Sequence, residues 1–374
     1  MVDHRKLFNE LSSIGIDFFT GVPDSLLNDF CLYLTLNAPE GHHIMTANEG
    51  NAIGVATGYH LATGKIPVVY MQNSGIGNAT NPLLSLAHDS VYGIPMILVI
   101  GWRGDPAIKD HAQHKKQGEL TTVLMNDMDI PFQVLDNEDT VFDKFKWAYN
   151  KAKEISSPVA LITKKAILTE KIKKQNYPES NLMNREEAIS AVLDIIGPDA
   201  VYLATTGRAT RELHETIKAK EWHETAEFLN VGAMGHLSSI ALGISIARPD
   251  KKIIVFDGDA AAVMHMGSLA TNGRYPTPNL IHIVLNNGVN ESVGGQPSAG
   301  QIINLTEIAH ACGYIVPEKQ LTSPEELQNF LSSNSDKPKF IDLKVKQGIR
   351  NDMPKLDINH KEMKQRLMNL INKK

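Results

Sequence analysis

Two cysteines in 374 residues, Cys31 and Cys312, exclude a disulfide framework and a thiolate metal site. They lie far apart and among apolar neighbours, so both read as buried thiols of a reducing compartment. No apolar run approaches the ~20 residues of a spanning helix. Met1 to Lys6 leads straight into a helical pattern without a signal-peptide core, so the cytoplasm is the expected location. Charge of one sign is lacking too. The net charge is −5, with no basic stripe of the kind that binds nucleic acid. Lysines gather locally, as at Lys171 to Lys174 and at the carboxyl end, beside acidic residues, which reads as solvated linker and tail. There is no short-period repeat and no low-complexity tract.

What is present is ordinary globular composition, 42% apolar and 21% charged, on a chain long enough for two cores. Short apolar strands, small-residue turns and helical stretches alternate through both halves. Strands are expected at 17–20, 43–47, 68–71, 96–100 and 159–162, then at 200–203, 252–256, 280–285 and 339–343. Residues 72–78 read as a loop, and Asn184 with Glu187 has the spacing of a capping box. This rhythm argues for an α/β fold of two domains, each a mostly parallel sheet flanked by helices. Their expected bounds are 1–170 and 184–348, with a linker at 171–183 and a tail at 349–374.

The most informative segment runs from Ile253 to Gly295. A buried strand ends at Phe256 and delivers Asp257, Gly258, Asp259 and Ala260 to its carboxyl edge; the next ends at Asn286, Asn287 and Gly288. A right-handed crossover makes the two strands parallel, with both turns at the edge where open α/β sheets bind ligands. Asp259 and Asn287 would then offer a carboxylate and an amide oxygen to Mg²⁺, which takes few protein oxygens and fills its octahedron with phosphate and water. Either turn alone is equally an ordinary polar end to a strand.

Together, Gly258-Asp259-Ala260 and Asn286-Asn287 resemble the paired motif of thiamine-diphosphate enzymes, with Ala260 in place of a glycine. The resemblance implies two thiamine-diphosphate-binding-type domains, a pyrimidine-binding one (1–170) and a diphosphate-binding one (184–348). It implies Mg²⁺ held by Asp259, Asn287 and the carbonyl of Val289. Glu49, in the turn His43 to Ala52, resembles the glutamate that hydrogen-bonds the cofactor's aminopyrimidine, a role that needs a carboxyl kept protonated near neutrality. Met234, in Val231 to Gly235, would wedge the cofactor into its bent form, with the Gly232 carbonyl accepting from its amine. Thr205, Thr206 and Gly207 would bind the diphosphate, and Ser74 lies in a further cofactor-binding loop.

Gly21 to Asp24, Gln72 to Pro82, Gly101 to Gly104, Gln113 to Gly118 and Ser292 to Pro297 resemble blocks of the phosphonopyruvate and sulfopyruvate decarboxylases, the first more closely. The implied activity is decarboxylation of a 2-oxo acid bearing a phosphonate, a step of phosphonate biosynthesis. The alternatives are a sulfonate substrate or, further off, an acetolactate-synthase-like carboligase. A dianionic phosphonate calls for cations and backbone donors. Arg103, His114, Lys115 and Lys116 are candidates, with Ser292 and Gly294 in a possible nest of N–H groups. Each cation alone is equally a surface charge. His114 could also assist proton transfer, and Asp24 would relay the proton that completes the aldehyde. In the family, the glutamate and metal half-sites that face each other come from different subunits, so a homodimer is the smallest expected active form. Neither a membrane nor nucleic acid is an expected partner.

Overall fold

A computed structural model describes residues 2–170, 181–321 and 324–373. The chain divides into two compact units, 1–175 with 293–296 and 176–292 with 297–374. The 171–174 lysine cluster and most of the expected linker lie outside the described residues. Residues 293–296 group with the first unit, so Gly294 leaves the domain in which the sequence placed it.

In the first unit, six strands form one sheet in the order β2-β1-β3-β4-β6-β5, with every neighbouring pair parallel. They are β1 (Phe19–Gly21), β2 (His43–Met45), β3 (Val68–Gln72), β4 (Ile97–Gly101), β5 (Phe132–Leu135) and β6 (Val159–Thr163). Successive residues feed opposite cores: Val68, Tyr70, Ile97 and Val99 meet the helices of one face, and Val69, Met71, Leu98 and Ile100 those of the other. Burial on both sides explains the unbroken apolar runs, and each fully buried large side chain contributes about 1.5–3 kcal/mol.

The second unit holds β7 (Val201–Ala204), β8 (Ala226–Leu229), β9 (Ile253–Gly258), β10 (Leu280–Asn286), the short β11 (Val289–Asn290) and β12 (Gln296–Pro297, of which Gln296 belongs to the first unit), and β13 (Lys339–Lys344). Its main sheet runs β13-β10-β9-β7-β8, again all parallel. In each sheet the second strand lies on one side of the first and the third on the other. The order therefore reverses beside β1 in one unit and beside β7 in the other, and such a reversal opens a crevice at the carboxyl edge.

The structure departs from the sequence reading in several places. β5 and β8 were not anticipated. Both are edge strands, and β8 carries a charge, Glu227, buried against His214 (3.0 Å) and Arg366 (3.4 Å). Such a strand has no apolar run to reveal it. Residues 72–78 are not a loop: a 3-10 turn at Asn73–Gly75 leads into the helix Ile76–Pro82. The stretch 349–374 is more than a tail, because the helix His360–Ile371 packs Leu367 into the core beside β8. Cys31 is buried, whereas Cys312 is half-buried; both are free. The capping box at Asn184 and Glu187 forms as its spacing suggests, with both bonds at 2.7 Å.

Candidate active site

At the carboxyl edge of the first sheet, β2 ends three residues before Asn48, which caps the helix Glu49–Thr63 by accepting from the Asn51 N–H. That cap fixes Glu49 on the first helical turn, buried, where its carboxylate accepts from Asn78 Nδ2 at 2.7 Å. Gly75 makes the fit possible, since a Cβ there would overlap the Glu49 carboxyl. Ser74 lies in the same turn and accepts from Gln72 Nε2 at 2.6 Å. Asn73 ties this turn to the next strand end through the Arg103 carbonyl (2.7 Å) and Thr121 Oγ1 (2.9 Å).

Asp24 follows β1 and is buried, its carboxylate accepting from the Leu26 N–H at 3.0 Å. Gly101, at the end of β4, leaves space that a Cβ would take from Asp24. Burial pushes the Asp24 carboxyl up to about 6, against smaller lowering effects of its hydrogen bonds and Arg103. The folded state therefore holds this proton more tightly than the unfolded chain. Below the ordinary value of 3.8 both states are protonated and nothing is lost. As pH rises from 3.8 to about 6 the unfolded chain ionises first, so the fold loses stability across that window and stays penalised above it. Asp24→Asn is thus expected to match the wild type in unfolding free energy, read from urea titrations, near pH 3.5 and to exceed it at pH 7, by about 1–3 kcal/mol. Parallel curves across that range would refute the buried-acid assignment.

Arg103 and His114 both follow β4. The Arg103 guanidinium grips Asp110 through two bonds (2.8 and 2.7 Å) and reaches Ser25 Oγ with Nη1 at 3.0 Å. It is thus half of an ion pair and not a free cation. Burial lowers the His114 ring to about 4, so it is uncharged at neutral pH, and its Nδ1 is buried without a hydrogen-bond partner. Lys115 is exposed, and Lys116 pairs on the surface with Glu119 at 3.0 Å.

In the second unit, Thr205, Thr206 and Gly207 leave β7 at the strand reversal. The Thr205 N–H bonds to the Phe256 carbonyl (2.9 Å), Thr206 Oγ1 donates to the Val231 carbonyl (3.1 Å), and Gly207 adopts a φ of 109°. Gly232 and Met234 occupy the turn after β8, both half-buried. Ala233 is held there at a φ of 47°, a left-handed conformation that costs about 1–2 kcal/mol. Gly258 and Leu285 are register partners on adjacent parallel strands, so Asp259 and Asn287 leave one edge from neighbouring strands, as expected.

Asp259 is buried at the start of the helix Asp259–Met264, which continues through Ala260, and its carboxylate accepts from Ser298 Oγ. Burial raises its pKa. The Asn287 side chain donates to Glu291 (3.1 Å) and accepts from the Val289 N–H (3.2 Å). Asn286 instead has a structural role, bonding Asp342 and the Gly300 carbonyl at 2.9 Å each. Ser292 lies in the 3-10 turn Glu291–Val293, and Gly294 (φ 130°) and Gly295 (φ 82°) follow it.

Among the described residues no three His, Cys, Asp or Glu side chains gather as a metal cluster. The donor set of one carboxylate, one amide oxygen and one backbone carbonyl nonetheless suits a hard cation that completes its shell with phosphate. A second observation, along the same carboxyl edge of the sheet, suits a bound anion. Thr205 Oγ1 and Asn230 Nδ2, at the ends of β7 and β8, are buried without hydrogen-bond partners, at about 1–3 kcal/mol each if left unmet. Phosphate oxygens would satisfy both, so the residues fit the group.

Comparison with known proteins decides the family. The thiamine pyrophosphate enzyme N-terminal TPP binding domain matches residues 4–125, and the C-terminal TPP binding domain of the same enzymes matches residues 205–343. The chain belongs to the thiamine pyrophosphate enzymes. It is 30% identical over 366 residues to the phosphonopyruvate decarboxylase of Streptomyces viridochromogenes, covering 93% of this chain and 89% of that one. The corresponding enzyme of Streptomyces hygroscopicus is 30% identical over 330 residues, covering 84% and 80%. The sulfopyruvate decarboxylase of Methanosarcina acetivorans is 26% identical over 331 residues, covering 83% and 82%.

Within this thiamine pyrophosphate enzyme, sequence reasoning missed Asn78, Ser298, Glu291, Arg185 and Arg208. Asn78 stood inside the Gln72 to Pro82 block without a role, and Ser298 lies one residue beyond the Ser292 to Pro297 block. Arg185 lies 106 positions from the carboxylate it grips, and no spacing rule reaches that far. Among the described residues no helix is long and apolar enough to cross a membrane.

Proposed function

We propose that this enzyme decarboxylates 3-phosphonopyruvate to phosphonoacetaldehyde, using thiamine diphosphate and Mg²⁺, as a cytoplasmic homodimer in phosphonate biosynthesis. The observation that carries the reading is Glu49, a carboxyl buried at a strand end, capped by Asn78 and given room by Gly75. Similarity to two phosphonopyruvate decarboxylases over 93% and 84% of the chain supports the substrate.

Bound thiamine diphosphate would supply the electron sink for the pair released as CO₂ departs. Glu49 would hold a proton at its carboxyl oxygen toward the cofactor's ring nitrogen. Asp259, Asn287 and the Val289 carbonyl would hold Mg²⁺, while Thr205, Thr206, Gly207, Gly258 and Ala260 would line the diphosphate. Gly232 and Met234 would set the cofactor's bend, and Ser74 would contact it. Asp24, buried and protonated for part of the time near pH 6, suits delivery of the one proton that replaces CO₂ in the product. Neutral His114 can offer one N–H to an acidic substrate oxygen and one lone pair to a proton. Arg103, Lys115, Ser292 and Gly294 are the remaining candidates for binding the phosphonate.

Coupled assays of CO₂ release from phosphonopyruvate, sulfopyruvate and pyruvate test the substrate. A phosphonate carries one more charge than a sulfonate, and one charge-assisted hydrogen bond contributes about 1.5–3 kcal/mol. The expected kcat/KM is therefore roughly tenfold or more higher for phosphonopyruvate than for sulfopyruvate, and lower still for pyruvate. Preference for sulfopyruvate would move the enzyme to the sulfonate group.

A further inference from the structure

Behind Asn287 lies a group of buried charges for which the proposed chemistry has no use. All of it belongs to the second unit. The Glu291 carboxylate, almost wholly buried, is met by Arg185 Nη1 at 2.5 Å, Arg208 Nη1 at 2.8 Å, the Gly348 N–H and Asn287 Nδ2 at 3.1 Å. Arg185 grips Glu212 with Nε (2.9 Å) and Nη2 (3.0 Å) and donates to the Gly348 carbonyl at 2.9 Å. Two guanidinium groups therefore balance two carboxylates, and the network is closed by backbone. Buried charges require this degree of pairing, because removing one partner strands the other.

The consequence for Asn287 follows from hydrogen-bond sense. A carboxylate fixed between two guanidinium groups only accepts, so the Asn287 atom facing Glu291 has to be the NH₂ nitrogen. Oδ1 is then turned to the other side, where it accepts from the Val289 N–H at 3.2 Å and keeps a second lone pair. Were the amide free to rotate by half a turn, it would present N–H hydrogens to a cation instead. We infer that Glu291, itself fixed by Arg185 and Arg208, is a positioning residue that orients the Asn287 amide with its oxygen toward the metal. This rests on the reading of Asn287 as a Mg²⁺ donor. Partners of this kind behind a metal ligand typically affect affinity about 10- to 100-fold.

Titration calorimetry of Mg²⁺ into the full chain at saturating thiamine diphosphate tests the inference, with circular dichroism checking the fold of each variant. Glu291→Gln presents either an oxygen or an NH₂ to Asn287, so the fixed orientation is lost and the Mg²⁺ midpoint should rise about 10- to 100-fold. Adding Asn287→Asp to that variant should lower the midpoint again, because a carboxylate has no wrong orientation. A purely structural role for Glu291 predicts no such recovery, so a double variant as weak as Glu291→Gln overturns the inference. An unchanged midpoint in folded Glu291→Gln, where Asn287→Ala still weakens binding, also overturns it while leaving the metal reading intact. Normal binding in Asn287→Ala would instead remove the metal reading itself. If Glu291→Gln does not fold, Arg208→Gln, at the more exposed cation, should raise the midpoint severalfold, and a wild-type midpoint there counts against the inference.

Discussion

Glu49→Gln is expected to lower kcat about 10²- to 10⁴-fold, the usual span for removing a positioned proton-transfer group, while cofactor affinity stays within a few-fold of wild type. The substitution is nearly isosteric, and a glutamine carbonyl can still accept from Asn78, whose Nδ2 lies 2.7 Å from the carboxylate. The helix start is untouched because its cap is Asn48. What is lost is the acid. Steady-state turnover alongside calorimetric cofactor binding separates the two effects, and a variant that binds cofactor and turns over at the wild-type rate would falsify the role given to Glu49.

Asp259→Asn should nearly abolish Mg²⁺-dependent cofactor binding while leaving the unliganded fold as stable as before or more so. One full charge beside a cation at ~4 Å contributes about 4 kcal/mol even at an effective dielectric of ~20, which is roughly 10³-fold in affinity. The stability half of the prediction follows from burial. Asp259 has a raised pKa, so the unfolded chain ionises at lower pH than the fold does. Above that point the carboxylate's charge weighs against the unliganded fold, and an amide removes the penalty. Asparagine still offers an oxygen to Ser298 Oγ, the present partner of the carboxylate. Thermal melts with and without Mg²⁺ and thiamine diphosphate read both halves, and a large cofactor-induced rise in Tm for the variant would overturn the assignment. Coexpression with Glu49→Gln chains addresses the proposed homodimer. Two inactive variants that regain substantial activity together must share sites between subunits, whereas no recovery argues for sites built within single chains.

How much of this was legible beforehand depended on where each signal lived. The central strands could be read because burial on both faces forces uninterrupted apolar runs, as in Ile97–Gly101 and Ile253–Gly258. The ends of those strands could be read because small and polar residues must follow a buried strand to turn the chain, and there Asp24, Glu49, Thr205, Asp259 and Asn287 stand. Edge strands were harder. Phe132–Leu135 and Ala226–Leu229 pair on one side only and tolerate mixed polarity.

The amino-acid sequence alone determined the α/β rhythm and the family, and it singled out the turns proposed here as two half-sites, since all of these reside in contiguous stretches of fixed residue type. Only the tertiary structure decided how those residues are held and charged. It showed Arg103 already gripped by Asp110, His114 buried and neutral, Asp24 seated in the space left by Gly101, and Asn287 clasped by Glu291 between Arg185 and Arg208. The physical reason is range. A strand, a cap or a turn is written in neighbours, whereas burial and ion pairing join separate elements, over as many as 106 positions for Arg185 and Glu291.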